Sequence, residues 1–158
     1  MRIPEILLFS LLLAAIVVSD LRRLRIPNGL IVSGIFIRLL SVTLAAGLSS
    51  LPALLFHSLF VAVPVAAITL LTEAFTKKKI LGGGDLKLVF FLGLYAPWQA
   101  GILAVIAALG FGSVVAVLCR HQKKRVPLAP VISAAFLVAI KYQSYILEWW
   151  ERDGSKFL

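Results

Sequence analysis

Five apolar runs dominate the sequence, and each is long enough for a helix to cross the hydrocarbon core of a membrane. They lie at 3–19, 30–48, 51–75, 100–119 and 126–150. A sixth run, 86–97, is short, since a helix rises about 1.5 Å per residue and this one reaches only about 18 Å. With 61% hydrophobic residues and a mean hydropathy of +1.02, the chain is too apolar for a soluble domain. We predict an all-α, polytopic membrane protein of about six transmembrane helices, with 1–158 forming a single membrane-embedded domain.

The basic residues predict how these helices are oriented. The net charge is +9, which in a soluble protein would raise the question of a nucleic-acid partner, but the positive charges fall in short segments between apolar runs. Cytoplasmic loops of membrane proteins carry such an excess, so we predict no nucleic-acid partner and a lipid bilayer instead. The basic residues lie in alternate loops, which places both termini outside. They are Arg22, Arg23 and Arg25, then Lys77, Lys78 and Lys79, then Arg120, Lys123, Lys124 and Arg125.

The cysteine content limits the metal chemistry that the chain can support. Cys119 is the single cysteine, which excludes an internal disulfide and a zinc site built from four cysteines. The sequence offers no convincing cluster of other metal ligands, and we predict neither a metal nor another cofactor.

Two aspartates stand at the ends of apolar runs. Asp20 follows the first run and Asp85 precedes the sixth, and counting the spans between them puts both at the cytoplasmic face. Acidic side chains at such positions are costly and are candidates for function. For Asp85 alone, capping the start of a helix is an equally good explanation. The pair at one depth favours a functional site.

Three glycines, Gly82, Gly83 and Gly84, directly precede Asp85. Glycine permits positive φ and close approach of another chain, which suits a site that admits an extended peptide. The same residues would also serve as loop filler.

Three segments carry a family resemblance. They are Asp20-Leu-Arg-Arg-Leu-Arg-Ile-Pro27-Asn28, then Gly82-Gly-Gly-Asp85-Leu-Lys87, then Arg125-Val-Pro127-Leu-Ala-Pro130. In this order they resemble the type IV prepilin peptidase family of GxGD aspartyl proteases, and the match is closest to its short members. The resemblance implies that Asp20 and Asp85 are the catalytic pair of a hydrolase of the inner (cytoplasmic) membrane. Such an enzyme removes the basic leader from prepilin-like proteins of type IV pili or secretion systems.

The resemblance also implies supporting roles and one difference from larger members. Gly82, Gly83, Gly84, Lys87, Pro27 and Asn28 would bind substrate or support the site. Lys87 is equally well explained as a lysine that reaches lipid headgroups, and Pro27 with Asn28 as a turn that opens the second span. Larger members carry a cysteine-rich zinc segment that accompanies N-methylation. Here the cysteines are absent and about ten residues separate the first two spans, which implies peptidase activity without methylation.

The ends of the helices suggest which aspartate acts as base and which as acid. Asp85 begins a helix, where the dipole favours the ionised form, and Asp20 ends one, where the dipole opposes it. This suggests Asp85 as the base and Asp20 as the acid, although the arginines beside Asp20 act in the opposite direction.

A different class of function, a small ion- or proton-coupled transporter component, is the alternative. Arg38, inside the second span with no acidic residue at an obvious matching depth, favours that alternative.

Overall fold

The computed structural model describes residues 3–23, 25–77, 82–118 and 128–153. Within these ranges the chain forms seven α-helices and no strand, which confirms the prediction of an all-α protein. A 3-10 turn, Leu48–Ser50, joins the second helix to the third. The helices are α1 (Ile3–Arg23), α2 (Asn28–Ala46), α3 (Leu51–Thr76), α4 (Gly83–Gly93), α5 (Trp98–Leu118), α6 (Ala129–Lys141) and α7 (Gln143–Asp153).

Two helical segments of the described chain are long and apolar enough to cross a membrane by themselves. They are Asn28–Ala46, which is α2, and Leu48–Phe75, which comprises the 3-10 turn and most of α3. The bent pair α6 and α7 makes a third if it is counted as one span. The count of six spans and the outward termini therefore stay predictions.

Within the described residues the last apolar run, predicted as one span over 126–150, is not one continuous helix, and the prediction that it forms a single span stays a prediction. α6 ends at Lys141, α7 begins at Gln143, and the two are bent by 67°. The sequence changes character at this point, because α7 contains three aromatic and four charged residues among its 11. The Trp150 ring packs edge-on against Trp98 at 5.2 Å between centroids, which holds α7 against the start of α5.

The short helix α4 lies in the centre of the core. Phe91, Leu88 and Leu92 are fully buried there, together with Ile16 of α1 and Phe136 of α6. The helices α2, α3, α5 and α6 all contact α4. An eleven-residue helix is too short to cross a bilayer alone, and its neighbours shelter it.

Helices α2 and α4 run parallel. Asn28, at the start of α2, bonds to Lys87 near the start of α4, and Arg38, further along α2, bonds to Leu94 just after α4 ends. The two helices therefore begin at the same end of the bundle. Because α1 is joined to α2 through residues 24–27, the end of α1 lies there too. We call this end of the bundle the junction end.

The partner of Arg38 is Glu5, which the sequence did not indicate. The guanidinium Nη1 lies 3.5 Å from the Glu5 carboxylate. The expectation that no acidic residue lies at the depth of Arg38 was therefore wrong. Glu5 is near the start of α1, and the long Arg38 side chain reaches it along the bundle.

Candidate active site

All of the residues predicted to form the site lie at the junction end. Asp20 is in the last turn of α1, Pro27 and Asn28 are where α2 begins, and the glycines, Asp85 and Lys87 are at the start of α4. Asp20 and Asp85 are 65 positions apart in sequence, and the hydrogen bond from Lys87 to Asn28 and the packing of Gly84 against Ile26 bring the start of α4 to the link that follows Asp20.

Asp20 is buried, with 6% of its surface exposed, and its carboxylate is held by the backbone of another helix. The N–H of Ala129 donates a hydrogen bond to Oδ2 at 3.2 Å. Ala129 is the first residue of α6, and the first N–H groups of a helix have no partner within the helix. The start of α6 is therefore a donor site for a carboxylate. The sequence argument that a helix end opposes ionisation of Asp20 considered only its own helix, α1. In the structure, an N–H group at the start of α6 also bonds to the same carboxylate.

Asp85 occupies the first turn of α4 and precedes the apolar run 86–97. Its Oδ2 accepts a hydrogen bond from the Gly82 N–H at 3.2 Å. Gly82 has no side chain, so this is one half of a capping box, and the structural role considered for Asp85 is present. Burial raises the pKa of the Asp85 carboxyl, the bond from Gly82 lowers it, and the negative charge of Asp20 raises it further; the balance is upward.

This direction opposes the hypothesis that Asp85 is the ionised member of the pair. The helix-start argument is correct in sign, because the Gly82 N–H does lower the pKa, but burial is the larger effect. Asp85 is thus the better candidate for the carboxyl group that retains a proton.

None of the three glycines has a positive φ, so that part of the prediction was wrong. Gly82 has φ −74° and ψ 147°, and Gly83 and Gly84 are the first residues of α4. A Cβ on Gly82 would lie 3.1 Å from Asp85 Oδ2, and one on Gly84 would lie 3.4 Å from Ile26. A Cβ on Gly83 would have nothing within 4 Å. Gly82 thus leaves room for the carboxylate, Gly84 packs against the link between α1 and α2, and position 83 is unconstrained.

Lys87 and Asn28 form a polar contact beside the aspartates. Lys87 Nζ donates to Asn28 Oδ1 at 3.0 Å, and both residues are exposed. Pro27, extended at φ −65° and ψ 121°, precedes α2, and its carbonyl accepts the Leu30 N–H at 3.2 Å. The structure therefore gives Pro27 the helix-opening role considered from the sequence.

An apolar groove of about 540 Å³ begins at this polar contact. Helices α2, α3 and α4 form its walls, and Lys87 and Asn28 line it at the junction end. Its other lining residues include Ile31, Val32, Ile35, Ala62, Ala66 and Phe90. The groove thus starts within two residues of Asp85 in α4 and extends along the apolar part of the bundle.

Sequence analysis missed two contributors to the site. The first is the Ala129 backbone, and the second is Ile26, which lies against Gly84. Pro130 gave a usable signal, since proline favours the first turn of a helix, but the run from 126 was interpreted as already helical. Of the late segment in the resemblance, Arg125 and Pro127 lie outside the described residues.

Within the described part of the chain, no group of three or more His, Cys, Asp or Glu side chains is arranged to hold a metal ion. The polar groups at the junction end include the two carboxylates, the N–H groups that hold them, the contact between Lys87 and Asn28, and the Ser19 hydroxyl, which donates to the Arg25 carbonyl.

The structure defines the class of protein: it is a bundle of apolar, membrane-type helices with a pair of carboxylates at one end. The sequence model of the type IV leader peptidase family matches residues 7–117 of this chain. The chain belongs to that family, which confirms the resemblance and makes it a protease of the leader-peptidase type. No curated protein and no solved structure matches it.

Proposed function

We propose that this protein is a membrane aspartic endopeptidase that removes the basic leader from prepilin-like proteins at the cytoplasmic face of the inner membrane. The observation that carries the proposal is the convergence of the end of α1, with Asp20, and the start of α4, with Asp85, at the junction end of the bundle. Membership in the leader peptidase family supports the reaction class and the substrate.

The hydrolysis needs one ionised and one protonated carboxyl group around a shared water. The ionised aspartate takes a proton from the water, whose oxygen forms a bond to the scissile carbonyl carbon. The other aspartate gives its proton to the carbonyl oxygen. Collapse of the tetrahedral intermediate then breaks the C–N bond: the aspartate that took the water proton gives it to the leaving nitrogen, and the other aspartate takes back the hydroxyl proton as the new carboxyl group forms. The raised pKa of Asp85 favours Asp85 as the initial proton donor and Asp20 as the base.

The transporter alternative loses the feature that favoured it. Arg38 is bonded to Glu5 and to the Leu94 carbonyl, so it is a fixed part of the packing. The functional carboxylates concentrate at one end of the bundle, whereas a transport pathway places polar groups across the membrane.

Replacement of each aspartate by the isosteric amide tests the proposal. An asparagine cannot exchange a proton in either role, so Asp20→Asn and Asp85→Asn should each abolish leader removal, a loss of about 10³-fold or more. The measurement is co-expression with candidate prepilins, scored by gel shift and by the mass of the new amino terminus, which we expect to be unmethylated. Glu148→Gln, at an exposed carboxyl on α7, is the matched control. Near-normal processing by either asparagine variant, when the protein is inserted and folded, would sink the assignment.

A further inference from the structure

Arg38 of α2 contacts the end of α4 that is opposite to Asp85. Its Nε donates a hydrogen bond to the Leu94 carbonyl at 3.1 Å, and its side chain is 16% exposed. Leu94 directly follows α4 and is 1% exposed. The last carbonyl groups of a helix have no partner within the helix, and in an apolar setting an unpaired one is costly. Arg38 therefore satisfies a buried group at the carboxyl end of α4, where a positive charge also complements the helix dipole.

Two other groups hold the Arg38 side chain in this place. Glu5 of α1 lies 3.5 Å from Nη1, and the Tyr95 ring lies 4.9 Å from the guanidinium carbon. A charged pair inside an apolar bundle is favourable only when its remaining donors and acceptors are occupied. Here one cation has a carboxylate, a carbonyl and an aromatic face as partners.

The contacts between α2 and α4 also fix how far one helix can slide along the other. The Tyr95 hydroxyl donates to the Gly34 carbonyl at 3.4 Å. The Phe91 ring lies so close to Gly34 that a Cβ there would be 2.6 Å from it. A helix of eleven residues is about 16 Å long and behaves as a rigid rod over that length. A displacement at Leu94 is therefore transmitted to the first turn, which carries Asp85.

We propose that Arg38 is a positioning residue for Asp85: it anchors the carboxyl end of α4 and thereby fixes the position of the Asp85 carboxyl relative to Asp20. The inference rests on the proposed peptidase function for its catalytic consequence. Glu5 and Tyr95 serve to hold Arg38, and Asp85 is the group through which Arg38 acts.

The test uses the full-length protein in nanodiscs with a membrane-inserted prepilin substrate. Arg38→Met keeps an unbranched side chain and removes the charge and the donors. Arg38→Lys keeps the charge and one donor, and Glu5→Gln leaves the bond to Leu94 intact. Lys141→Met is the matched control, since Lys141 is an exposed cation in the last turn of α6. Two quantities are measured for each variant: amide hydrogen exchange over 83–95, and kcat and KM for leader removal.

We expect Arg38→Met to accelerate exchange at the carboxyl end of α4 and to lower kcat by about 100-fold, since a misplacement near 1 Å has that effect, while KM changes little. Arg38→Lys should recover part of both, Glu5→Gln should show a smaller loss than Arg38→Met, and Lys141→Met should resemble the wild type. If Arg38→Met does not fold, the lysine and Glu5 variants still give the comparison.

Three results would overturn the role of Arg38. They are a fall in kcat with unchanged exchange over α4, faster exchange with unchanged kcat, and a change confined to KM. An inactive wild-type protein, or continued cleavage by Asp85→Asn, would instead overturn the proposed function, so the two failures are distinguishable.

Discussion

The adjacent glycines Gly82 and Gly83 differ in the room that each has for a side chain. At position 82 a methyl group would lie 3.1 Å from the carboxylate oxygen that the Gly82 N–H holds, whereas at position 83 nothing lies within 4 Å. We expect Gly82→Ala to displace the Asp85 carboxyl and to lower cleavage by up to about tenfold, because one hydrogen bond to a neutral group contributes ~0.5–1.5 kcal/mol and about 1.4 kcal/mol is a factor of ten in rate. Gly83→Ala should cleave like the wild type.

Rates of leader removal by the two alanine variants decide this point. Both substitutions add the same methyl group to the first turn, so a general effect of rigidity would slow both equally. Equal losses, or a larger loss at position 83, would show that contact with the Asp85 carboxyl is not the cause.

The raised pKa of Asp85 has a consequence for stability. A carboxyl whose pKa is higher in the folded state contributes stability below its ordinary pKa of about 3.9, and that contribution is lost as the pH rises through the raised value. Asparagine stays neutral and its oxygen can still accept the Gly82 N–H. We therefore expect Asp85→Asn to match the wild type in thermal unfolding near pH 4 and to exceed it at pH 7. Glu148→Gln controls for the loss of one negative charge.

Thermal melts in detergent at both pH values give the comparison. A stability difference that is largest at acid pH, or a variant that is less stable than the wild type at pH 7, would mean that burial does not penalise the ionised Asp85.

At the scale of helices, the groove between α2, α3 and α4 is the surface next to Asp85 on which an apolar substrate segment can lie. Ala66 lines the groove and is half-buried, whereas the next residue, Ala67, is exposed and outside it. We expect Ala66→Phe to fill part of the groove and to raise KM for a membrane-inserted substrate by about tenfold, as loss of roughly 1.4 kcal/mol of apolar contact would do. Ala67→Phe adds the same ring to the same helix and should leave KM unchanged.

Kinetics of both variants in nanodiscs separate substrate binding from chemistry. A loss of kcat at unchanged KM in Ala66→Phe would assign the groove to packing around Asp85, and identical effects of the two variants would show that the groove is not used.

The helices show which features the sequence could predict. The apolar runs identified α1, α2, α3 and α5, and the short run after Asp85 predicted a short α4. These helices could be predicted because the length and apolar content of a run are properties of the local sequence. The pairing of Glu5 with Arg38 depends on a contact between distant segments. The role of Ala129 could not be predicted from the sequence for a further reason. It acts through its backbone N–H, which every residue except proline has, so the identity of its side chain gives no signal.

For the whole molecule, the position of both aspartates at one end of an apolar bundle should set where a substrate is cut. Peptide backbone must be free of helical hydrogen bonds to be attacked, and such backbone is costly inside the hydrocarbon. Moving the cleavage sequence one helical turn, about 5 Å, deeper into the substrate's apolar segment should reduce cleavage by about tenfold or more. Shifting it by the same number of residues toward the polar leader controls for altered sequence context.

Gel-shift assays of a series of displaced sites measure this dependence. Efficient cleavage of the deeper site, or of a soluble leader peptide without its apolar segment, would show that position in the membrane does not govern selection.

The hydrogen bond between Asp20 and Ala129 joins residues 109 positions apart. When the ribosome has synthesised α1 to α4, both carboxylates are present, but the Ala129 N–H that bonds to Asp20 is not. That bond can form only after α6 has been synthesised and has docked. A chain that ends before α6 therefore carries both aspartates without the Ala129 N–H group that bonds to Asp20 in the folded protein.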